Sequence, residues 1–297
     1  ILTGYNTDYF GLKYTINRSK ISLKNKKVII LGSGGTSATA RALAEDLQAK
    51  QTLVVSRTGT LNYKTVYTHT DAEIIINTTP VGMYPNNGDN LVDISNFKNL
   101  CGLVDVVYNP FCTDLLAQGK KYNIPTASGL PMLVEQAKIS AELFKNTKLD
   151  DSVSERIIKE LTLELSNIIL IGMPGSGKTT IGKLIAEKLG KKFIDIDEKV
   201  EDLYQITIPE IFNKYGEKTF RKREKSVIYE CGKKNNCGIS TGGGAILDSD
   251  NYLPLKQNGR IYWIERGLEI LETKGRPLSD TLKKLEKMYL SKLKIYN

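Results

Sequence analysis

The chain has one histidine in 297 residues, His69, and that scarcity leaves almost no room for a His-centred catalytic triad or a multi-histidine metal site. Its four cysteines, Cys101, Cys112, Cys231 and Cys237, form no C-x-x-C pair and no zinc spacing. They read as reduced thiols, so a cytoplasmic location is expected. No apolar run is long enough to span a bilayer and no secretory signal opens the sequence, so no membrane partner is expected. Acidic residues are outnumbered, 33 against 42 lysines and arginines, which gives a net charge of +9. The lysines are scattered and no basic–aromatic motif accompanies them. Nucleic acid is therefore not the expected partner, and phosphate-bearing small molecules are. Nothing in the sequence assigns an oligomeric state.

The most informative stretch is GMPGSGKT, Gly172 to Thr179, which fits G-x-x-x-x-G-K-[ST]. The apolar run Ile168–Ile171 before it reads as a buried strand, and Ile181–Leu189 after it as an amphipathic helix. A loop so placed binds the phosphates of ATP. Gly172, Gly175 and Gly177 let the backbone wrap closely, and the N–H groups of Ser176 through Thr180 point inward at a helix start. Lys178 can reach the β- and γ-phosphates, and the Thr179 hydroxyl can ligate Mg²⁺.

A second turn of this kind lies upstream. VIILGSGGTSATA, Val28 to Ala40, is a strand followed by Gly32, Ser33, Gly34, Gly35 and Thr36 and then a helix of small residues. That pattern suits a dinucleotide pyrophosphate. The next strand ends in Ser56-Arg57-Thr58, where an NAD site would carry Asp or Glu. Arg57 would pair with a 2′-phosphate and the two hydroxyls can bond to it, so the expected cofactor is NADP(H). A surface arginine after a strand is the plain alternative.

Two such loops, each between a strand and a helix, predict two α/β units in tandem. Strands are expected at Lys27–Leu31, Gln51–Val55, Ile74–Ile76, Gly102–Val107 and Ile124–Thr126. Helices are expected at Ser37–Ala49, Thr113–Tyr122, Leu130–Phe144 and Ser152–Leu165. The boundary is placed at residues 165 and 166, with no Gly/Ser/Pro linker.

Four further segments, GYNTDYFG (Gly4–Gly11), INTTPVGM (Ile76–Met83), DVVYNP (Asp105–Pro110) and SGLPMLVEQA (Ser128–Ala137), resemble shikimate dehydrogenase. The resemblance covers about the first 165 residues. It implies that Asp8 is the carboxylate of a catalytic Lys–Asp pair and that Tyr108 and Gln136 help hold the substrate. Asn77, Thr78, Thr79, Gly129 and Met132 would line the nicotinamide end. In that family the catalytic lysine and most of the substrate site precede the GYNTD segment. The chain begins at Ile1, inside a patterned segment, and ends at Asn297 in a helical pattern, so it is expected to be a piece of a longer protein. On that ground no turnover of 3-dehydroshikimate is expected from it.

The phosphoryl acceptor must be read downstream of the phosphate loop. FIDID, Phe193 to Asp197, reads as a strand ending in two carboxylates, Asp195 and Asp197, two residues apart and pointing the same way; a hydroxyl acceptor needs one carboxylate to orient it and Mg²⁺ needs another nearby. In GEKTFRKRE, Gly216 to Glu224, Arg221 and Glu224 share a helix face, and Arg221 suits a substrate carboxylate. An exposed ion pair is the plain reading there. ISTGGGAIL places Gly242, Gly243 and Gly244 at a strand end, where a flat ring could lie on the backbone. KGRPLSD offers Arg276 in a polar loop that could close over the phosphates.

Together these motifs resemble shikimate kinase over Asn167–Asn297. The resemblance implies that Asp197 orients the attacking shikimate hydroxyl and that Asp195 acts through Mg²⁺. Arg221 would hold the carboxylate beside Gly242–Gly244, and Arg276 would be the lid arginine. A second carboxylate-binding arginine of the family corresponds here to Lys292, which keeps the charge without the fork. Glu272 and Thr273 stand where the family often has an adenine-stacking arginine. The fold expected is two tandem parallel-sheet domains, a Rossmann-like NADP-binding domain and then a P-loop kinase domain. Two alternatives stay open: a P-loop kinase for another carboxylated polyol such as gluconate, and a nucleotide-binding module without catalysis.

Overall fold

The computed structural model describes residues 3–271 together with 286, 287, 289, 290 and 292. The chain divides into two compact units, Ile1–Leu163 and Glu164–Asn297.

The first unit runs α1 (Thr7–Arg18), β1 (Lys27–Leu31), α2 (Gly35–Asp46), β2 (Gln51–Val55), β3 (Ile74–Asn77), β4 (Gly102–Asp105), α3 (Asp114–Lys121), β5 (Thr126–Ala127), α4 (Leu130–Lys145) and α5 (Ser152–Leu165). The five strands form one parallel sheet in the order β2-β1-β3-β4-β5. A parallel sheet is buried on both faces, and its central strands carry continuous apolar runs, Val28–Leu31 in β1 and Ile74–Ile76 in β3. Their side chains alternate between two cores. Val28, Ile30, Ile74 and Ile76 meet Leu12 and Ile16 of α1 and Leu43 and Ala44 of α2. Ile29, Leu31, Ile75 and Leu103 meet Leu115 and Leu116 of α3. Each fully buried aliphatic contributes about 1.5–3 kcal/mol.

Two boundaries differ from expectation for a local reason. β4 ends at Asp105 rather than Val107, because the Val107 N–H is taken by the Asp105 side chain (3.0 Å). α2 begins at Gly35 rather than Ser37, so the glycine turn runs directly into the helix. β5 lies at Thr126–Ala127, slightly beyond the expected 124–126.

The second unit runs β6 (Asn167–Gly172), α6 (Lys178–Lys188), β7 (Lys192–Asp195), α7 (Ile196–Tyr204), α8 (Ile208–Gly232), β8 (Cys237–Ser240), α9 (Tyr252–Lys256) and β9 (Gly259–Ile264). Its parallel sheet has the order β7-β8-β6-β9. Ile169, Ile194 and Ile239 from three adjacent strands are at most 2% exposed and pack with Val227 and Ile228 of α8. A Thr207–Glu210 capping box starts α8, and Gly216 (φ +78°, ψ 169°) kinks it. Among the described residues no helix is long and apolar enough to cross a membrane.

In both sheets the strand order reverses beside the glycine loop. The loop after β1 opens between β1 and β3, and the loop after β6 between β6 and β8. Such a reversal leaves a crevice at the carboxyl ends of the strands, where ligands of open α/β sheets bind.

Candidate active sites

In the second unit the phosphate loop is built by backbone geometry that only glycine adopts readily. Gly172 ends β6 with φ +153°, and a Cβ there would lie 2.6 Å from the Ile264 carbonyl oxygen. Gly177, at φ +90°, is the residue before α6. α6 starts at Lys178, three residues earlier than expected, so the loop N–H groups and the helix start coincide. The Lys178 side chain is folded over the loop, its Nζ donating to the Gly172 (3.2 Å) and Met173 (2.9 Å) carbonyls. The Thr179 hydroxyl donates to Asp195 Oδ2 (2.7 Å) and lies 3.5 Å from Ser240 Oγ.

The FIDID reading needs a correction. The strand stops at Asp195, and Asp197 stands in the first turn of α7. Asp195 Oδ1 accepts from the N–H groups of Asp197 (3.0 Å) and Glu198 (3.4 Å). A carboxylate at an N-cap satisfies orphan helix donors, so the strand gives way to a helix there. The two acids still reach one cavity, of about 930 Å³, by different elements.

Arg221 and Glu224 of α8 face the same cavity. Their ion pair, Nη1 to Oε2 at 2.7 Å, is not the exposed pair of the plain reading, because the Glu224 side chain is 1% exposed. Arg221 also reaches Glu217 at 3.2 Å. The three glycines are pinned by protein neighbours. A Cβ at Gly242 would lie 2.5 Å from Glu224 Oε1 and 2.7 Å from Asp197 Oδ1. One at Gly243 would meet Pro174 of the phosphate loop, and one at Gly244 would overlap the Arg221 guanidinium. Lys292 is buried, and its Nζ donates to the Gly243 carbonyl at 2.5 Å.

This crowding sets the electrostatics. Burial, then the charges of Glu224 and Asp195, push the Asp197 carboxyl up to about 7, against Lys178 and Arg221. Burial raises Glu224, opposed by Arg221. Burial, with Arg221 and Lys178 beside it, lowers Lys292 to about 8. Asp197 Oδ1 and Glu224 Oε1 are buried acceptors with no hydrogen-bond partner among the described residues. Acceptors left open in this way suit the hydroxyl donors of a polyol. Arg276, like Glu272 and Thr273, lies outside the described residues.

Glu224, Ser240 and Arg266 are not among the expected site residues, although all three line the cavity. Glu224 carried one signal, its three-residue spacing from Arg221. Ser240 and Arg266 follow from strand register alone, Ser240 as the partner of Asp195 and Arg266 just beyond Ile264.

In the first unit Gly32 (φ +110°) closes on Thr78 and Thr79, and the Thr78 hydroxyl donates to the Leu31 carbonyl (2.7 Å). The backbone of Ser33–Gly35 is exposed at the start of α2, with open space at Gly34 and Gly35 and with Thr36 half-buried. Ser56 is half-buried after β2, and Arg57 and Thr58 are exposed. Two expected ring-lining side chains turn inward instead. Asn77 is 3% exposed, donating to Asp105 Oδ1 (3.0 Å) and accepting from the Thr79 hydroxyl (2.7 Å). Met132 packs in the core beside Gly11. Gly129 lies so close to Val106 that any side chain would overlap its carbonyl. Asp8 sits in the first turn of α1, and Gln136 of α4 packs against Gly11 one turn further on. Tyr108 is exposed.

Comparison with known proteins fits this division. A shikimate kinase family model matches residues 174–297. The shikimate kinase of Nitrosomonas europaea is 46% identical over 120 residues, 39% of this chain and 57% of its own length. That of Persephonella marina is 41% identical over 138 residues, 44% of this chain and 84% of its own. The crystal structure of shikimate dehydrogenase 1 from Peptoclostridium difficile is 39% identical with a TM-score of 0.51, over 54% of this chain and 62% of that one, a likeness that falls on the N-terminal part. This chain thus spans under two thirds of the Nitrosomonas kinase and of the dehydrogenase. It spans most of the Persephonella kinase, and through its second unit the chain belongs to the shikimate kinase family.

Proposed function

We propose that the second unit transfers the γ-phosphoryl group of ATP to the 3-hydroxyl of shikimate. The first unit is the NADP-binding part of a shikimate dehydrogenase, which reduces 3-dehydroshikimate with NADPH. The boundary between the two is placed at residues 165 and 166, two residues beyond the structural division at Leu163 and Glu164. The product of one step would be the substrate of the next, in the biosynthesis of aromatic amino acids.

The observation that carries the kinase reading is one cavity holding a phosphate loop on one wall and Asp197, Arg221 and Lys292 on the other. Asp197 orients the acceptor hydroxyl and takes its proton as the O–H bond breaks. The hydroxyl oxygen bonds to the γ-phosphorus, and the bridge to the β-phosphate breaks to leave ADP. Lys178 turns from the loop carbonyls to the β- and γ-phosphates. Arg221 holds the shikimate carboxylate as a fork and Lys292 adds a point charge, beside Gly242–Gly244. Arg276 would close over the phosphates. A hydroxyl and a carboxylate 2.7 Å apart, Thr179 and Asp195, are hard oxygen donors that fit Mg²⁺. Bound there, Mg²⁺ neutralises phosphate charge.

In the first unit the exposed turn Ser33–Gly35 and the start of α2 receive the pyrophosphate of NADP(H). Ser56, Arg57 and Thr58 take the 2′-phosphate. Gly129 and Thr78 form the backbone wall near the nicotinamide. Asp8, Tyr108 and Gln136 belong to the substrate side.

The test is product analysis by mass spectrometry with ATP, Mg²⁺ and a panel of shikimate, quinate and gluconate. Phosphorylated shikimate supports the reading; phosphorylated gluconate, or no product, overturns it. For the first unit, tighter binding of NADPH than NADH, equalised by Arg57→Ala, is expected.

A further inference from the structure

The register of β6 and β9 puts a second cation at the phosphate loop, on the side away from the acceptor groups. Gly172 pairs with Ile264, and the two backbones are close enough that a methyl on Gly172 would press on the Ile264 carbonyl. The chain beyond β9 therefore leaves the sheet along the rim of the loop. Two residues on, the Arg266 Nη1 approaches the Gly175 carbonyl at 3.5 Å, and Arg266 lines the same cavity as Gly177, Lys178 and Thr180.

Two features set Arg266 apart from Arg221, the other arginine lining this cavity among the described residues. Arg221 is held by two carboxylates, whereas Arg266 has no acidic partner among the described residues. A guanidinium carries five donors, and here a single contact at the limit of hydrogen-bond distance uses one. The positions also divide by strand. Asp195 and Ser240 stand at the tips of β7 and β8, on one side of the loop strand β6, and Asp197 and Gly242 lie two residues beyond them. Arg266 follows β9, on the other side. An acceptor bound among Asp197, Arg221 and Gly242 is on the far side of the loop from Arg266. The phosphates held by the loop itself are beside it.

We infer that Arg266 is a nucleotide-binding residue, which forks onto the phosphate chain of the bound nucleotide from the β9 side and leaves the acceptor untouched. The inference rests on the kinase reading of this cavity. A guanidinium matches two phosphate oxygens at once, and such charge-assisted pairs are roughly twice as strong as neutral hydrogen bonds. Arg266 is exposed, so replacing it removes no core packing.

The test is calorimetric binding of Mg·ADP and Mg·ATP to the full chain, wild type against Arg266→Ala and Arg266→Lys. Arg266→Ala should bind both nucleotides about tenfold more weakly, a factor that corresponds to about 1.4 kcal/mol. Arg266→Lys should recover part of the loss, high salt should narrow the gap, and the KM for shikimate should not move. Wild-type nucleotide affinity in Arg266→Ala would overturn the inference. So would a loss that neither lysine nor salt reduces, since that marks stacking on the base rather than pairing with phosphate. A wild type that binds no nucleotide would instead bring down the kinase reading beneath it.

Discussion

The Arg221 guanidinium is fixed from two sides, by the buried Glu224 carboxylate at 2.7 Å and by the backbone of Gly244, where it fills the space a side chain would need. The arginine thus reaches the cavity already oriented, with less rotamer entropy left to lose on binding a carboxylate.

Loss of either support should therefore act on the acceptor and not on ATP. For Gly244→Ala we expect the KM for shikimate to rise by about tenfold or more, with Mg·ATP affinity unchanged. Steady-state kinetics with each substrate varied in turn checks this. An unchanged KM would mean that Arg221 does not meet the acceptor.

Glu224→Ala should cost stability as well. Removing one partner of a buried pair costs about 3–5 kcal/mol when the other is left buried and unpaired. Arg221 is a quarter exposed and keeps Glu217, so a smaller cost, about 1–3 kcal/mol, is expected. Urea unfolding measures it. A cost below about 0.5 kcal/mol would contradict the role given to this pair.

Lys292 predicts an alkaline limb. Burial, Arg221 and Lys178 lower it to about 8, with Glu224 opposing, so its charge disappears as pH rises through about 8 to 9. The KM for shikimate should rise several-fold across that range. Lys292→Arg keeps its charge and should remain flat. Stability should move the other way. Between about 8 and 10.5 the folded state binds fewer protons than the unfolded one, so this group favours folding increasingly as pH rises. A KM profile shared by wild type and Lys292→Arg would contradict a charge role for Lys292.

Asp105 predicts a pH effect on the first unit. Burial raises it from 3.8 to about 6, although Thr113, the Val107 N–H and Asn77 all donate to it. Its contribution to stability is complete below about 4 and is lost as pH rises through about 6, on the order of 3 kcal/mol. Asp105→Asn should flatten the pH dependence of the first unit's melting temperature between pH 4 and 6. Identical profiles for the two proteins would contradict this.

The fold was legible where the sequence spells periodicity and turn chemistry together. β1, β2 and α5 fall on the residues expected, because each carries an apolar or amphipathic stretch with clear ends. The site was less legible because its geometry depends on side chains acting as caps. Asp195 and Asp197 read as one strand until the Asp195 carboxylate, at the end of β7, is seen to cap α7, which moves Asp197 from strand to helix. Asn77 reads as a ligand-facing amide until Asp105, 28 residues away, claims it. The Asn77 contact has no local signal, whereas the cap has one, Asp195 followed three residues later by Glu198, which the strand reading of FIDID overrides. Glu224 shows the same limit, since spacing placed it beside Arg221 but could not tell a buried pair from an exposed one.

In the function proposed, the cavity of the second unit binds ATP and shikimate together and passes a phosphoryl group between them. The most direct test is ADP release by the chain with Mg·ATP, with and without shikimate, in wild type and Asp197→Asn. Shikimate-dependent release is expected from wild type, reduced by a factor of about 10² or more in Asp197→Asn with nucleotide affinity intact. Release indifferent to shikimate, or undiminished in Asp197→Asn, would contradict it.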